Sequence, residues 1–187
     1  MRIRPLPLAL ILVVATAQGA AADGPLSEVR LGMLWPDFGP PASRPAGTDA
    51  NAELLFTSPF AGWGTNLPAW LQWMATPRVD VGGVLNTAGG PNQGYAGLTW
   101  TVPLSTSLLH RTDGVSMGFS IGPDLLGGPG TPHGMDQGPQ LRLGAELGYQ
   151  MTPRVGMYVL FDRITGGPLT HEADSINELG VRVGLHF

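Results

Sequence analysis

The chain has 187 residues and a formal charge of −4, and only 13% of its residues are charged, against about a quarter in an ordinary soluble domain. That length fits one domain, or one small barrel plus an export signal, and the absence of any Lys/Arg cluster excludes a nucleic-acid surface. With no cysteine there is no disulfide framework, and the 28 glycines and 18 prolines are too dispersed for a collagen-like or low-complexity chain.

The first 22 residues read as an address. Arg2 and Arg4 form a positive start, Leu6 to Val14 a short apolar core, and Ala20-Ala21-Ala22 precedes Asp23. This is the layout of a cleavable export signal, with cleavage expected after Ala22 and residues 23–187 forming the mature domain. The apolar core is too short for a transmembrane helix, which needs about 20 residues, and no later segment is long enough either. If the mature chain enters a membrane, it must do so as a closed barrel.

The remainder alternates with the period of two that marks strands. Weaker alternation predicts strands over 26–35, 49–57, 78–87, 94–102 and 114–121. In 141–149, Leu141, Leu143, Ala145, Leu147 and Tyr149 oppose Arg142, Gly144, Glu146 and Gly148. In 155–163, Val155, Met157, Val159 and Phe161 oppose Gly156, Tyr158, Leu160 and Asp162. The last stretch is the clearest, with Leu179, Val181, Val183, Leu185 and Phe187 against Glu178, Gly180, Arg182, Gly184 and His186. A final strand closing on an aromatic is also what outer-membrane insertion machinery usually reads. The expected fold is all-β, an eight-stranded antiparallel outer-membrane β-barrel.

Met151-Thr152-Pro153-Arg154 predicts a tight turn, while 36–47, 122–137 and 164–175 predict longer loops rich in Gly and Pro. Short turns at one end and longer loops at the other suit such a barrel. Residues 59–76 break that symmetry and carry Trp63, Trp70 and Trp73. They form either an interfacial helix or aromatic belt, or a lid on the barrel end.

The phase of the apolar residues decides what the barrel faces. In a membrane barrel the apolar phase points out to lipid, which sends Arg30, Glu53, Arg142, Glu146, Glu178 and Arg182 inward. Eight strands leave an interior filled by side chains, where those charges must pair. A soluble sandwich or lipocalin-like barrel reverses the phase, and the low charge content, export signal and terminal Phe favour the membrane. His110, His133, His171 and His186 lack metal-ligand spacing, and Gly127-Gly128-Pro129-Gly130 has no following helix to make a phosphate cradle. No metal or cofactor is expected, and His186 is expected in the lumen.

Several segments carry a resemblance. They are Glu28-Val29-Arg30-Leu31-Gly32, Asn51-Ala52-Glu53-Leu54-Leu55-Phe56 and Leu85-Asn86-Thr87-Ala88-Gly89. Further on stand Gln93-Gly94-Tyr95-Ala96-Gly97-Leu98-Thr99-Trp100, Glu146-Leu147-Gly148-Tyr149 and Leu179-Gly180-Val181-Arg182-Val183-Gly184. In their order and number they resemble the acyloxyacyl hydrolase, or PagL-type lipid A 3-O-deacylase, family. The resemblance implies an eight-stranded outer-membrane barrel with a serine-hydrolase site on its outer wall. Such an enzyme removes the ester-linked 3-hydroxyacyl chain from lipid A.

In that family the nucleophile region reads His-X-Ser-Asn at the end of the seventh strand, with an acid twelve residues after the Ser. Here Arg163 stands at the base position, Thr165 at the nucleophile and Asn177 at the acid. All three catalytic positions are changed. One reading is a catalytically degenerate barrel that keeps a surface facing lipid A or lipopolysaccharide. There Arg163 either grips a phosphate or snorkels to anchor the rim. The other is an active lipid A 3-O-deacylase with a shifted constellation, in which His171, Glu172 or Asp174 reaches back to Thr165. On either reading the partners are lipid A and outer-membrane lipids, and no oligomeric state is specified.

Overall fold

A computed structural model describes residues 24–36, 47–104, 114–128, 131, 138–165 and 175–187. The expected export signal and His110, His133, His171, Glu172 and Asp174 lie outside the described residues. Eight strands form in chain order: β1 (Leu26–Pro36), β2 (Asp49–Phe56), β3 (Arg78–Asn86), β4 (Asn92–Pro103), β5 (Val115–Gly127), β6 (Gln140–Thr152), β7 (Val155–Thr165) and β8 (Ser175–His186). Each pairs antiparallel with its sequence neighbours, and β1 pairs with β8 through Met33–Val181 and Leu31–Val183 to close the barrel. Closure removes the free strand edges that an open sheet would expose to lipid.

The predicted tight turn is there: β6 and β7 are joined through Pro153 and Arg154, with Thr152 paired to Val155. Several strand ends differ from the sequence expectation. β5 runs on to Gly127, where a loop was expected from 122, because Gly122-Pro123 reads locally as a turn. The strand accommodates the pair by interrupting its ladder to β4 between Ile121–Leu98 and Asp124–Tyr95. A proline has no N–H to give that ladder, and Pro123 still pairs with Leu141 of β6. The strand stops just before Gly128, whose φ of 100° suits only a residue without a Cβ. At the other end of the strand, Gly114, expected to open it, sits at φ 94° just before it. β7 likewise extends through Ile164 and Thr165, two residues into the loop expected from 164. The connection of residues 87–91 is also shorter than its loop-side neighbours, so the two ends are less distinct than the sequence suggests.

The side-chain phase is that of a membrane barrel. Met33, Trp35, Leu54, Val81, Leu125, Leu147, Met157, Val159, Val181 and Val183 are exposed on the outer wall. A continuous apolar wall of this size would be an aggregation surface in water. The polar phase is buried: Arg30, Glu53, Arg142, Glu178 and Arg182 are each at most 5% exposed. A soluble lipocalin-like barrel, with its apolar face inside, is excluded by this inversion.

The lumen is filled. Glu53 accepts hydrogen bonds from Arg182 Nη1 at 2.7 Å, Tyr95 Oη at 2.9 Å and Arg30 Nη1 at 3.4 Å. Arg30 also reaches Glu146 at 2.8 Å and Glu28 at 2.7 Å. Arg142 pairs with Asp162 at 2.8 Å and lies over the Tyr95 ring, 3.8 Å from its centroid. Glu178 was expected among the paired charges, but its hydrogen bond comes from the Gln93 amide. Inward glycines make room for these side chains. Gly82 faces the Tyr95 ring, Gly118 faces Glu146, and Gly184 faces Glu28 and Tyr158, and a Cβ at any of them would collide. This small-against-large alternation is what a narrow barrel requires. A cavity between Arg30, Glu53, Glu146 and Arg182 has a volume of about 10 Å³, room for about one water. The interior is a packed polar core with no channel through this network.

Removing one partner of a buried ion pair leaves the other charge uncompensated. Arg182→Leu should therefore destabilise the barrel by about 3 kcal/mol, at the low end for such losses because Arg30 still reaches Glu53. Val183→Leu, one residue along on the lipid face, should be nearly silent. Urea unfolding of both variants refolded in lipid vesicles measures the difference. Equal losses would mean that the two faces have been interchanged.

Candidate functional site

β7 and β8 bring the three positions marked by the resemblance onto one patch. The outward phase of β7 runs Val155, Met157, Val159, Phe161, Arg163 and Thr165, with Tyr158, Leu160, Asp162 and Ile164 buried between them. Arg163 is paired directly with Asn177 of β8, and Thr165 with Ser175. On the other flank Arg163 meets Leu143 and Thr165 meets Leu141 of β6. The patch lies at the end of the barrel opposite the Pro153–Arg154 turn. Short turns mark the periplasmic side of such barrels, so the patch is at the outer leaflet.

Its foundation is apolar on both sides of the wall. Ile164 and Ile176, the inward residues between these positions, are 0% and 1% exposed and pack with Leu126 across the lumen. Outside, Phe161 and Leu179 form the next cross-strand pair toward the membrane centre. The polar patch therefore sits where an apolar wall gives way to the rim, held by two strands whose backbones are fully paired there.

The functional groups themselves are few. Arg163 is exposed, and among the described residues it has no carboxylate partner, since its neighbour Asp162 points inward to Arg142 and Arg182. The Thr165 hydroxyl donates to the Leu141 carbonyl at 3.4 Å. Asn177 Oδ1 is buried and accepts no hydrogen bond among the described residues. His186 is nine residues along β8 from Asn177, about 30 Å away at strand rise. It lies at the opposite end of the lumen, as expected, with its ring 3.0 Å from Tyr158 Oη and 3.6 Å from Glu28. No described imidazole or carboxylate is therefore placed to take a proton from Thr165.

The sequence shows the intervals between 163, 165 and 177, but not that 163 and 177 oppose each other. That follows from the register of the hairpin. The leucines of β6 beside the patch were also missed, because their sequence signal was simply that of lipid-facing residues.

No family model matches the chain, and no curated protein matches it in sequence. Among solved structures it is similar to the outer membrane enzyme PagL, with TM-score 0.59 at 10% identity over 86% of this chain and 100% of that one. It is also similar to a de novo designed transmembrane β-barrel, with TM-score 0.53 at 10% identity over 87% of this chain and 96% of that one. A second designed barrel, TMB2.3, matches with TM-score 0.50 at 12% identity, over 89% and 98% of the two chains. Designed barrels match nearly as well as an enzyme does, so the likeness speaks to the fold. The chain is a barrel of the outer-membrane kind, and the bacterial outer membrane is the solvent that its apolar wall fits.

A barrel of this kind should fractionate with the outer membrane. It should also migrate differently on a gel when heated, because its closed hydrogen-bond ladder resists detergent until it is melted. Recovery as a soluble periplasmic species with no such shift would contradict the membrane assignment.

Proposed function

We propose that the chain is an outer-membrane barrel on the lipid A deacylase scaffold whose hydrolytic chemistry has lapsed, and which keeps a surface facing lipid A. Residues 1–22 serve as its export signal. One observation carries this reading: the positions that the resemblance marks as base, nucleophile and acid meet on one outer-wall patch, and hold Arg163, Thr165 and Asn177.

The chemistry of those side chains opposes hydrolysis. A hydroxyl nucleophile needs a neighbour that accepts its proton. Arginine stays charged and has no acceptor. Threonine adds a methyl group that crowds the approach, and Asn177 carries no charge to stabilise an imidazolium. Losing a single triad member commonly costs several powers of ten, and these losses do not add independently. The surface nonetheless suits an anionic lipid. An exposed guanidinium at the outer leaflet presents the planar fork that takes a phosphate in bidentate fashion.

The geometry is also suited to reversal. Residues directly opposed across antiparallel strands have Cβ atoms about 4.5–5.5 Å apart, so a His at 163 would face an acid at 177. Residue 165 lies two positions along the same face, about 7 Å away. Mass spectrometry of lipid A from cells with and without the protein should find the 3-O-acyl chain in place in both. The triple change Arg163→His, Thr165→Ser, Asn177→Glu should produce detectable deacylation, and each single change alone should produce none. If the wild-type protein already deacylates lipid A and loses that activity on Thr165→Val, Thr165 is a true nucleophile and the proposal fails.

A further inference from the structure

The connection between β2 and β3 is long, apolar and set apart from the rest of the barrel. Residues 57–77 contain no Asp, Glu, Lys or Arg, where an average soluble stretch of that length would hold about five. They do contain Phe60, Trp63, Leu67, Trp70, Leu71, Trp73 and Met74. Such a composition is out of place in a water-filled compartment, and the fold shows where it goes.

Residues 59–65 turn back on themselves and lead through Pro68 into a short 3₁₀ helix, Ala69–Ala75. The backbone satisfies itself locally: Trp63 N donates to Phe60 O at 2.9 Å, Leu67 N to Gly64 O at 3.0 Å and Leu71 N to Pro68 O at 2.8 Å. The Thr76 hydroxyl donates to Gln72 O at 3.2 Å, and the Gln72 amide to Leu67 O at 3.2 Å. These local bonds lower the cost of taking that part of the segment out of water.

Its docking point separates the two placements that the sequence allows. The helix packs against β4, and the Trp100 indole donates to Met74 O at 2.9 Å. Trp100 is on the outward phase of β4, between Thr99, which bonds Asp80 in the lumen, and Thr101, which bonds Arg78 there. The helix is therefore moored to the outside of the wall, beside the barrel and not across its mouth. It lies at the same end as the Pro153–Arg154 turn, the periplasmic side. Phe56, Tyr149 and Phe187 also stand at that end. Beyond the mooring, Trp63 is 74% exposed, with Phe60 edge-on to it at 4.9 Å, and Met74 is 53% exposed.

We infer that residues 57–77 form an interfacial anchor that lies in the headgroup region of the periplasmic phospholipid leaflet. Trp63, Leu67 and Met74 reach toward the acyl chains there. The occupant of this exposed surface is lipid because the surface continues the lipid-facing wall through Trp100, carries no charge, and places indoles where amphipathic rings concentrate. The anchor is independent of the proposed function, since it sits at the opposite end of the barrel from Arg163.

The chain has no cysteine, so a single nitroxide label reports one site. The full mature chain would be refolded into vesicles of phosphatidylethanolamine and phosphatidylglycerol, with labels at Trp63→Cys and Met74→Cys. Ala61→Cys is added because it keeps every aromatic side chain and reads the same segment. Leu147→Cys on the lipid wall and Arg154→Cys in the exposed turn are the references, and heat-dependent gel mobility confirms that each variant has folded. The anchor is supported if the collision ratio of oxygen to a water-soluble nickel complex at 61, 63 and 74 is several-fold above that at 154 and approaches that at 147. A ratio equal to that at 154 places the segment in water, and exclusion of both reagents makes it a lid. Either result overturns the inference.

Discussion

The structure depends on the need to neutralise charge in a lumen too narrow for bulk water. Glu53, on β2, lies at the centre of that solution. Its carboxylate takes hydrogen bonds from Arg30 of β1, Tyr95 of β4 and Arg182 of β8, with Arg142 of β6 at 4.0 Å. A single acid thus connects five strands, with β4 and β6 reaching it from across the sheet order. Such a cluster is weak evidence for net stability, since desolvation offsets much of the Coulomb gain. It is strong evidence for register, because sliding any of these strands by one residue would send its charge into lipid.

The same constraint accounts for the glycines. A lumen holding arginines and tyrosines has no room for a Cβ on every inward position, so Gly82, Gly118 and Gly184 stand where a large neighbour reaches across. Glycine weakens a strand in isolation, but here each one admits a group that takes part in the network. The irregular stretch of β5 shows the tolerance of the design. Gly122 and Pro123 interrupt one ladder, while pairing with β6 continues on the other side.

The outer wall answers to a different solvent. Around the candidate site the foundation is intact: Ile164 and Ile176 are buried beneath it, and two fully paired strands carry it. A scaffold held from within does not need any particular polar side chain on its outside. A side chain at 163 that accepts no proton therefore leaves the fold undisturbed. The apolar segment outside β4 illustrates the same division, since the Trp100 indole holds it from the outer face of the wall.

Alternation along β6, β7 and β8 was enough to determine the strands, the closed barrel and the direction of each face, because a period of two has only two phases and lipid accepts only one of them. The tight turn at Pro153–Arg154 and the lumen placement of His186 followed from the same local signals. The extent of β5 did not, since Gly-Pro specifies a turn locally and only pairing with β6 carries the strand through it. The ion partners were equally hidden: Arg182 meets Glu53, 129 residues away in the chain, and Glu178 is held by the amide of Gln93. The meeting of Arg163 with Asn177 is a matter of hairpin register, and the position of residues 57–77 beside the wall is a matter of tertiary contacts such as the Trp100–Met74 hydrogen bond. Period and composition are local properties and can be read along a chain. Which side chain faces which across a closed barrel depends on the registers of all its strands together, and only the tertiary structure decides that.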